Sequence, residues 1–234
     1  MHKINKMKII TTLSHLAAIL LLASCVATKQ TIIFSEQLSS ASSGDPVAQL
    51  KVGYAYDMGI GVEKNINKAV IWYKKSAAQG NADAQNNLGS MFLNGQGVKQ
   101  DYKTAIMWLE KAANQNHSVA QNTLAIRYIL GQGVEKDKNK AVYWYEESAK
   151  NGNISALRNL GNIYALGREV DQNNIVAYKW LDLARFYTQG SKNMNLKWGI
   201  RGDFDNLIKK MTESEIEEGK NLSSEWDNKY RLTK

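Results

Sequence analysis

The chain of 234 residues has one cysteine, Cys25, one proline, Pro46, and three histidines. A lone cysteine excludes a disulfide framework. Two of the histidines fall in the first 24 residues, so the remainder holds only His117. No His/Cys metal cluster can be assembled from that, and a Ser-His-Asp relay would have to pass through His117. Nothing reads as a series of short strands and turns, and proline is almost absent, so the expected fold is all-α. Acidic residues are fewer than basic ones, giving a net charge of +8. Without residues 1–24, which carry three lysines and no acid, 27 basic and 22 acidic side chains remain, a net of +5. That excess is spread along the chain without a basic stripe or groove-reading element, so no nucleic-acid partner is expected.

A 36-residue period is what the chain does have. Units beginning at Gly44, Gly80, Asn116 and Gly152 follow one another without insertion, and Trp72, Trp108, Trp144 and Trp180 share one position of the unit. The same register aligns Ala48/Ala84/Ala120/Ala156, Val52/Leu88/Leu124/Leu160, Gly59/Gly95/Gly131/Gly167 and Ala69/Ala105/Ala141/Ala177. A fixed period of this length marks stacked repeats. Within a unit, Ala84, Leu88 and Phe92 recur at spacing four, as do Ala105, Trp108 and Ala112, so each repeat is a helix pair. Between the two helices stands Gly95-Gln96-Gly97-Val98, with counterparts at Gly59 and Gly131. Glycine there can end a helix at positive φ. Asn65, Asp101, Asp137 and Asn173 are placed to cap the second helix, and Asp45, Asn81, His117 and Asn153 the first. The small residues Gly53, Gly89, Ala125 and Gly161 predict close helix approach, with the repeated tryptophan filling the space they leave.

The Ala-x-x-x-Leu-Gly-x-x-Tyr/Phe run, the Gly-x-Gly-Val loop and the Ala-x-x-Trp-Tyr/Leu-x-x-Ser/Ala-Ala run together resemble the Sel1-like repeat, a relative of the tetratricopeptide repeat. The resemblance spans Gly44 to about Thr188 and implies an α-solenoid of four helix-turn-helix repeats, 44–79, 80–115, 116–151 and 152–187. It implies a binding scaffold with no catalytic residue, metal or other cofactor. A cysteine-rich branch of that family is described as penicillin-binding, which keeps a β-lactamase-like or peptidoglycan-associated enzyme as an alternative. The single cysteine and the lack of Ser-x-x-Lys, Ser-Asp-Asn and Lys-Thr-Gly runs speak against it. A periplasmic signalling regulator is the other alternative.

Before the repeats, three lysines within residues 1–8 and an apolar run from Ile9 to Ala23 have the form of a signal peptide. The run is short for a membrane span. Leu22-Ala23-Ser24-Cys25 matches the lipobox of bacterial lipoproteins, which implies a signal peptide over 1–24 and lipidation, with palmitate as the label, at Cys25. Val26 stands where an inner-membrane retention signal would place Asp, so the expected location is the cell envelope, lipid-anchored at the outer membrane and facing the periplasm or the surface. Residues 25–43 read as a tether that includes a degenerate half-repeat over Thr31–Ser42. In that half-repeat Phe34, Leu38 and Ala41 match Ile106, Glu110 and Ala113. Residues 189–234 read as capping helices, one through Leu196, Ile200, Phe204, Leu207 and Met211, and a last one begun by the capping box Thr212-Glu213-Ser214-Glu215 and anchored by Trp226.

Residues that differ between repeats on the first helix would line the concave face, by analogy with the tetratricopeptide relative. These are Val47/Leu50/Tyr54/Asp57, Asp83/Asn86/Ser90/Leu93, Val119/Asn122/Ile126/Ile129 and Ser155/Arg158/Asn162/Ala165. The expected contacts to a protein or peptide partner are Tyr54, Asp83, Asn86, Asn122, Ile126, Arg158 and Asn162.

Overall fold

The computed structural model describes residues 26–167 and 170–232, and among them it is helical throughout, with no strand. The helices are α1 (26–42), α2 (Pro46–Met58), α3 (Ile66–Ala78), α4 (Ala82–Asn94), α5 (Tyr102–Ala113), α6 (Ser118–Leu130), α7 (Lys138–Lys150), α8 (Ile154–Leu166), α9 (Asn174–Tyr187), α10 (Met194–Ile208) and α11 (Glu213–Tyr230). The fold is the all-α solenoid of four helix-pair repeats that the 36-residue period predicts. Two compact units divide it, one through Ala84 with Gln96–Val98, the other comprising Gln85–Gly95 and everything from Lys99 onward.

Every repeat starts and stops its helices in the same way. Asn65, Asp101, Asp137 and Asn173 cap the second helices from extended backbone, each accepting a hydrogen bond from an N–H two or three residues on. Asp45, Asn81 and Asn153 do so for first helices. His117 takes the same place, its Nδ1 accepting from the Ala120 N–H at 3.2 Å. At least one orphan donor of each helix start is thereby satisfied. Gly59, Gly131 and Gly167 close the first helices in the left-handed region. The second loop glycine has a further task, because a Cβ on Gly133 would lie 2.5 Å from the Tyr102 carbonyl oxygen and one on Gly97 would lie 2.6 Å from the Ile66 side chain.

Within a repeat, the two helices approach through a residue without a Cβ. A Cβ on Gly53 would lie 2.7 Å from the Tyr73 ring, one on Gly89 would lie 2.8 Å from Leu109, and one on Gly161 would lie 2.5 Å from Leu181. Each partner stands immediately after the repeated tryptophan, and that corrects the expectation that tryptophan fills this space. Trp72, Trp108 and Trp144 are only half buried, and Trp180 alone is fully enclosed. Successive residues on a helix are about 100° apart, so a shift of one position moves a side chain from the flank to the interface.

A polar ladder supplements the apolar core of alanines and leucines. Ser76 Oγ donates to the Pro46 carbonyl and Ser148 Oγ to that of Ser118, each at 2.6 Å. Gln79 donates to Gln49, Gln115 to Gln85 and Asn151 to Gln121, at 2.8–3.0 Å and always across 30 residues of sequence. Buried Gln49 and Gln121 pass the bond on to the carbonyls of Ala41 and Ala113. Satisfied buried amides of this kind fix register, since leaving one unpaired costs about 1–3 kcal/mol.

The stretch read as a tether is instead helical from residue 26, and its second half is packed. Phe34 and Ala41 are buried, and Phe34 sits edge-on to Tyr56 at 5.4 Å. A Cβ on Gly61 would fall on the Gln30 carbonyl, just as Gly97 meets Ile66 and Gly133 meets Tyr102 in the 36-residue register. α1 therefore stands where the second helix of a preceding repeat would stand. At the other end, α10 buries Ile200, Phe204 and Leu207. α11 starts with the reciprocal Thr212/Glu215 box and buries Trp226 edge-on to Trp180 at 5.6 Å.

Candidate partner-binding face

The residues expected to read a partner all lie on first helices, and the repeat geometry sets them at equivalent places. In the first unit, Tyr54 on α2 and Asp83 at the start of α4 are exposed. In the second, Asn86, Asn122 and Arg158 occupy one register position of α4, α6 and α8, with Ile126 and Asn162 one turn further along α6 and α8; all are half buried. Leu93 does not belong to this face. It is buried in the core with Ala105, Leu109 and Leu124. Ile126 and Ile129 pack against the core around Leu157 and Leu160, which explains these two aliphatic residues, whereas Val47, Tyr54 and Val119 are exposed.

Polar contacts link part of the row. Asn159 Nδ2 donates to Asn122 Oδ1 at 3.1 Å. Asn86 Oδ1 is buried and accepts no hydrogen bond, while its Nδ2 reaches Asn87 at 3.4 Å. Arg158 and Asn162 are joined by a residue that sequence reasoning did not assign. Arg158 Nε and Asn162 Nδ2 both donate to Asp203 Oδ2 on α10, at 2.6 and 3.0 Å. Gly199 makes room for this, because a Cβ there would lie 2.8 Å from both terminal nitrogens of Arg158. The two residues thus already hold a carboxylate of their own chain. The only sequence signal for it was the pair Gly199/Asp203 at helical spacing in α10, 41 to 45 residues away.

Cys25, the expected lipidation site, lies outside the described residues. Among those described, no helix is long and apolar enough to cross a membrane, and no group of three or more His, Cys, Asp and Glu side chains is placed to hold a metal ion. His117 is committed to its cap.

The Sel1 repeat profile matches residues 46–81, 82–117, 118–153 and 154–185, the same four units with each start displaced by two residues. Among solved structures, the chain is similar to c5321, described as a protective antigen present in uropathogenic Escherichia coli strains displaying an SLR fold. The two are 32% identical with a TM-score of 0.74, over 84% of this chain and 41% of that one, so this chain spans less than half the length of that relative. A Sel1 repeat protein from Oxalobacter formigenes is also 32% identical, with a TM-score of 0.67, over 84% of this chain and 80% of its own. No curated protein sequence matches the chain. With four consecutive repeats matched over more than half its length, and a helix-pair geometry that recurs in each, the chain belongs to the Sel1 repeat family.

Proposed function

We propose that this chain is a non-catalytic scaffold, anchored by lipid at Cys25 in a bacterial envelope, that binds a protein or peptide partner on its first-helix face. Sel1-repeat proteins are in general protein-interaction scaffolds. The observation that carries the reading to this face is the contrast between register positions. Ala84/Ala120/Ala156 and Leu88/Leu124/Leu160 repeat one residue type and are buried, whereas Asn86/Asn122/Arg158, on the same helices, vary and keep polar groups at the surface. Repeated positions specify the stack, and the varied ones are free to specify a ligand. Arg158 and Asn162 are engaged by Asp203 Oδ2 of the same chain, so the reading rests on Asn86 and Asn122.

The lipobox Leu22-Ala23-Ser24-Cys25 supports the anchor. A cysteine carrying two or more acyl chains stays in a membrane where a single chain binds only marginally. The test joins both parts. Labelled palmitate is expected in the wild-type chain and not in Cys25→Ser. Crosslinking in intact cells is expected to capture a protein whose yield falls in Asn86→Ala/Asn122→Ala. Crosslinks unchanged by that pair would remove the first-helix face from the reading, and label persisting in Cys25→Ser would remove the anchor.

A further inference from the structure

We infer that α10 pairs with α10 of a second copy of this chain, so that the protein is a two-fold dimer. The inference stands apart from the anchor at Cys25 and from the partner of Asn86 and Asn122.

Glycine in a helix interior needs a reason, and most of those described have one in a neighbouring helix. A Cβ on Gly53, Gly89, Gly161, Gly199 or Gly219 would lie 2.5–2.8 Å from a side chain of another helix. Gly202, in the middle of α10, meets nothing within 4 Å. It gives up about 1 kcal/mol of helix propensity for no contact within its own chain. One turn before it, Trp198 is 60% exposed, the most of any large apolar side chain described. Terminal helices of a repeat stack need a polar outer face, and these two residues depart from that.

The stacking of α8 on α6 and of α10 on α8 shows what this side of α10 is shaped to receive. Asn159 of α8 meets Asn122 of α6, and Gly199 and Asp203 of α10 meet Arg158 and Asn162 of α8. Arg158 and Trp198 each stand five residues after a helix cap, Asn153 or Asn193, and Asn162 and Gly202 stand nine after it. Trp198 and Gly202 therefore form the side by which α10 would take a further first helix. α11 does not fill that place. It packs along α9 instead, through Gly219 against Tyr178, Ser223 on Asp182 and Trp226 against Trp180.

The face is complementary to itself, and that names the occupant. A projecting indole and an open notch lie one turn apart on it. Arg201 and Asp205, 66% and 52% exposed, add both signs of charge to the same stripe, and within the chain they come only to 3.7 Å. Around a two-fold axis passing between residues 201 and 202, two antiparallel α10 helices set each Trp198 over the other copy's Gly202. The same axis brings each Arg201 beside the other copy's Asp205. An isologous contact repeats every residue pair in this reciprocal way. A different protein would need a complement to the knob or to the notch, and nothing would require both on one helix. One helix pair makes a small interface, so a dissociation constant on the order of micromolar is expected. Dimerisation would make binding on the first-helix face bivalent.

The test is sedimentation equilibrium of the full chain in density-matched detergent, with circular dichroism to confirm folding. The wild-type chain is expected to pass from monomer to dimer as its concentration rises. Trp198→Ala and Gly202→Leu, both at exposed positions of the single chain, are expected to keep the helix signal and to weaken the dimer by about tenfold or more. Arg201→Asp and Asp205→Arg each leave one sign of charge on the stripe. Each alone is expected to stay monomeric, and an equimolar mixture of the two to recover the dimer. A wild-type chain that remains monomeric up to about 1 mM overturns the inference and leaves the face to a different protein. A dimer unchanged by Trp198→Ala and Gly202→Leu is held elsewhere and overturns it too, as does a mixture no more dimeric than its components.

Discussion

Gly161 stands under Leu181, and the contact sets a direction for the effect of filling that space. Alanine at 161 would gain about 1 kcal/mol in helix propensity. Its Cβ would stand 2.5 Å from Leu181 Cγ and 3.2 Å from the Leu181 backbone nitrogen, which cannot yield. Overpacking costs about 1–3 kcal/mol, so Gly161→Ala is expected to lower the urea midpoint; a rise would contradict the close approach. The tryptophans separate in the same way. Trp180→Ala, at an enclosed site, is expected to cost about 3–5 kcal/mol, and Trp108→Ala less than half of that. Tyr145 is buried opposite Ala125, and burial pushes its phenol up to about 12, with Arg127 acting the other way. The folded chain therefore holds this proton more tightly than the unfolded one. The stability it contributes is complete below pH 10 and lost as pH rises through about 12. Tyr145→Phe should flatten part of the alkaline limb of a denaturation series taken from pH 9 to 12. Which member of the Trp-Tyr/Leu pair faces its neighbour was not legible in sequence, since both are large, apolar and one residue apart. The small residue opposite them was legible, because glycine inside a helix needs a reason.

Helix ends were the most legible elements, since a cap is a local event between residues two or three apart. Asp101 shows the consequence for pH. The Thr104 hydroxyl, then the Thr104 and Lys103 N–H groups, hold its carboxyl below the ordinary value of 3.8. A depressed carboxyl stabilises the fold above its unfolded pKa and ceases to do so as pH falls through the folded one. The unfolding midpoint is thus expected to be flat above about pH 5 and to fall below about pH 4. Asp101→Asn, which keeps an acceptor at the cap, should soften that fall. α1 and α10 were less legible. Residues 26–30, ahead of the half-repeat read over Thr31–Ser42, carry no core pattern and read as a tether, and helix there is continued from the packed turns around Phe34 and Ala41. The use of Arg158 and Asn162 by Asp203 depends on α10 crossing α8, which no local pattern encodes. A double-mutant cycle between Arg158 and Asp203, both about a third exposed, should return a coupling of about 1 kcal/mol or less.

At the scale of the whole molecule the repeat accounts for the fold and leaves the function to whatever departs from it. Four units without insertion, a half-repeat before them and two capping helices after them make each core a local matter of adjacent helices, which is why one period in the sequence was enough to read the architecture. The polar ladder of Gln49, Gln85 and Gln121 was invisible in that reading, since a glutamine recurring at one register position looks like any solvated residue until its partner 30 residues on is placed beside it. The account assigns the varied first-helix positions to a protein partner. Photoreactive residues introduced one at a time at 86, 122 and, as a second-helix control, the exposed 107 in living cells test that assignment most directly. The account predicts a discrete protein adduct from 86 and 122 and none from 107. A protein adduct from 107, with none from 86 or 122, would contradict it.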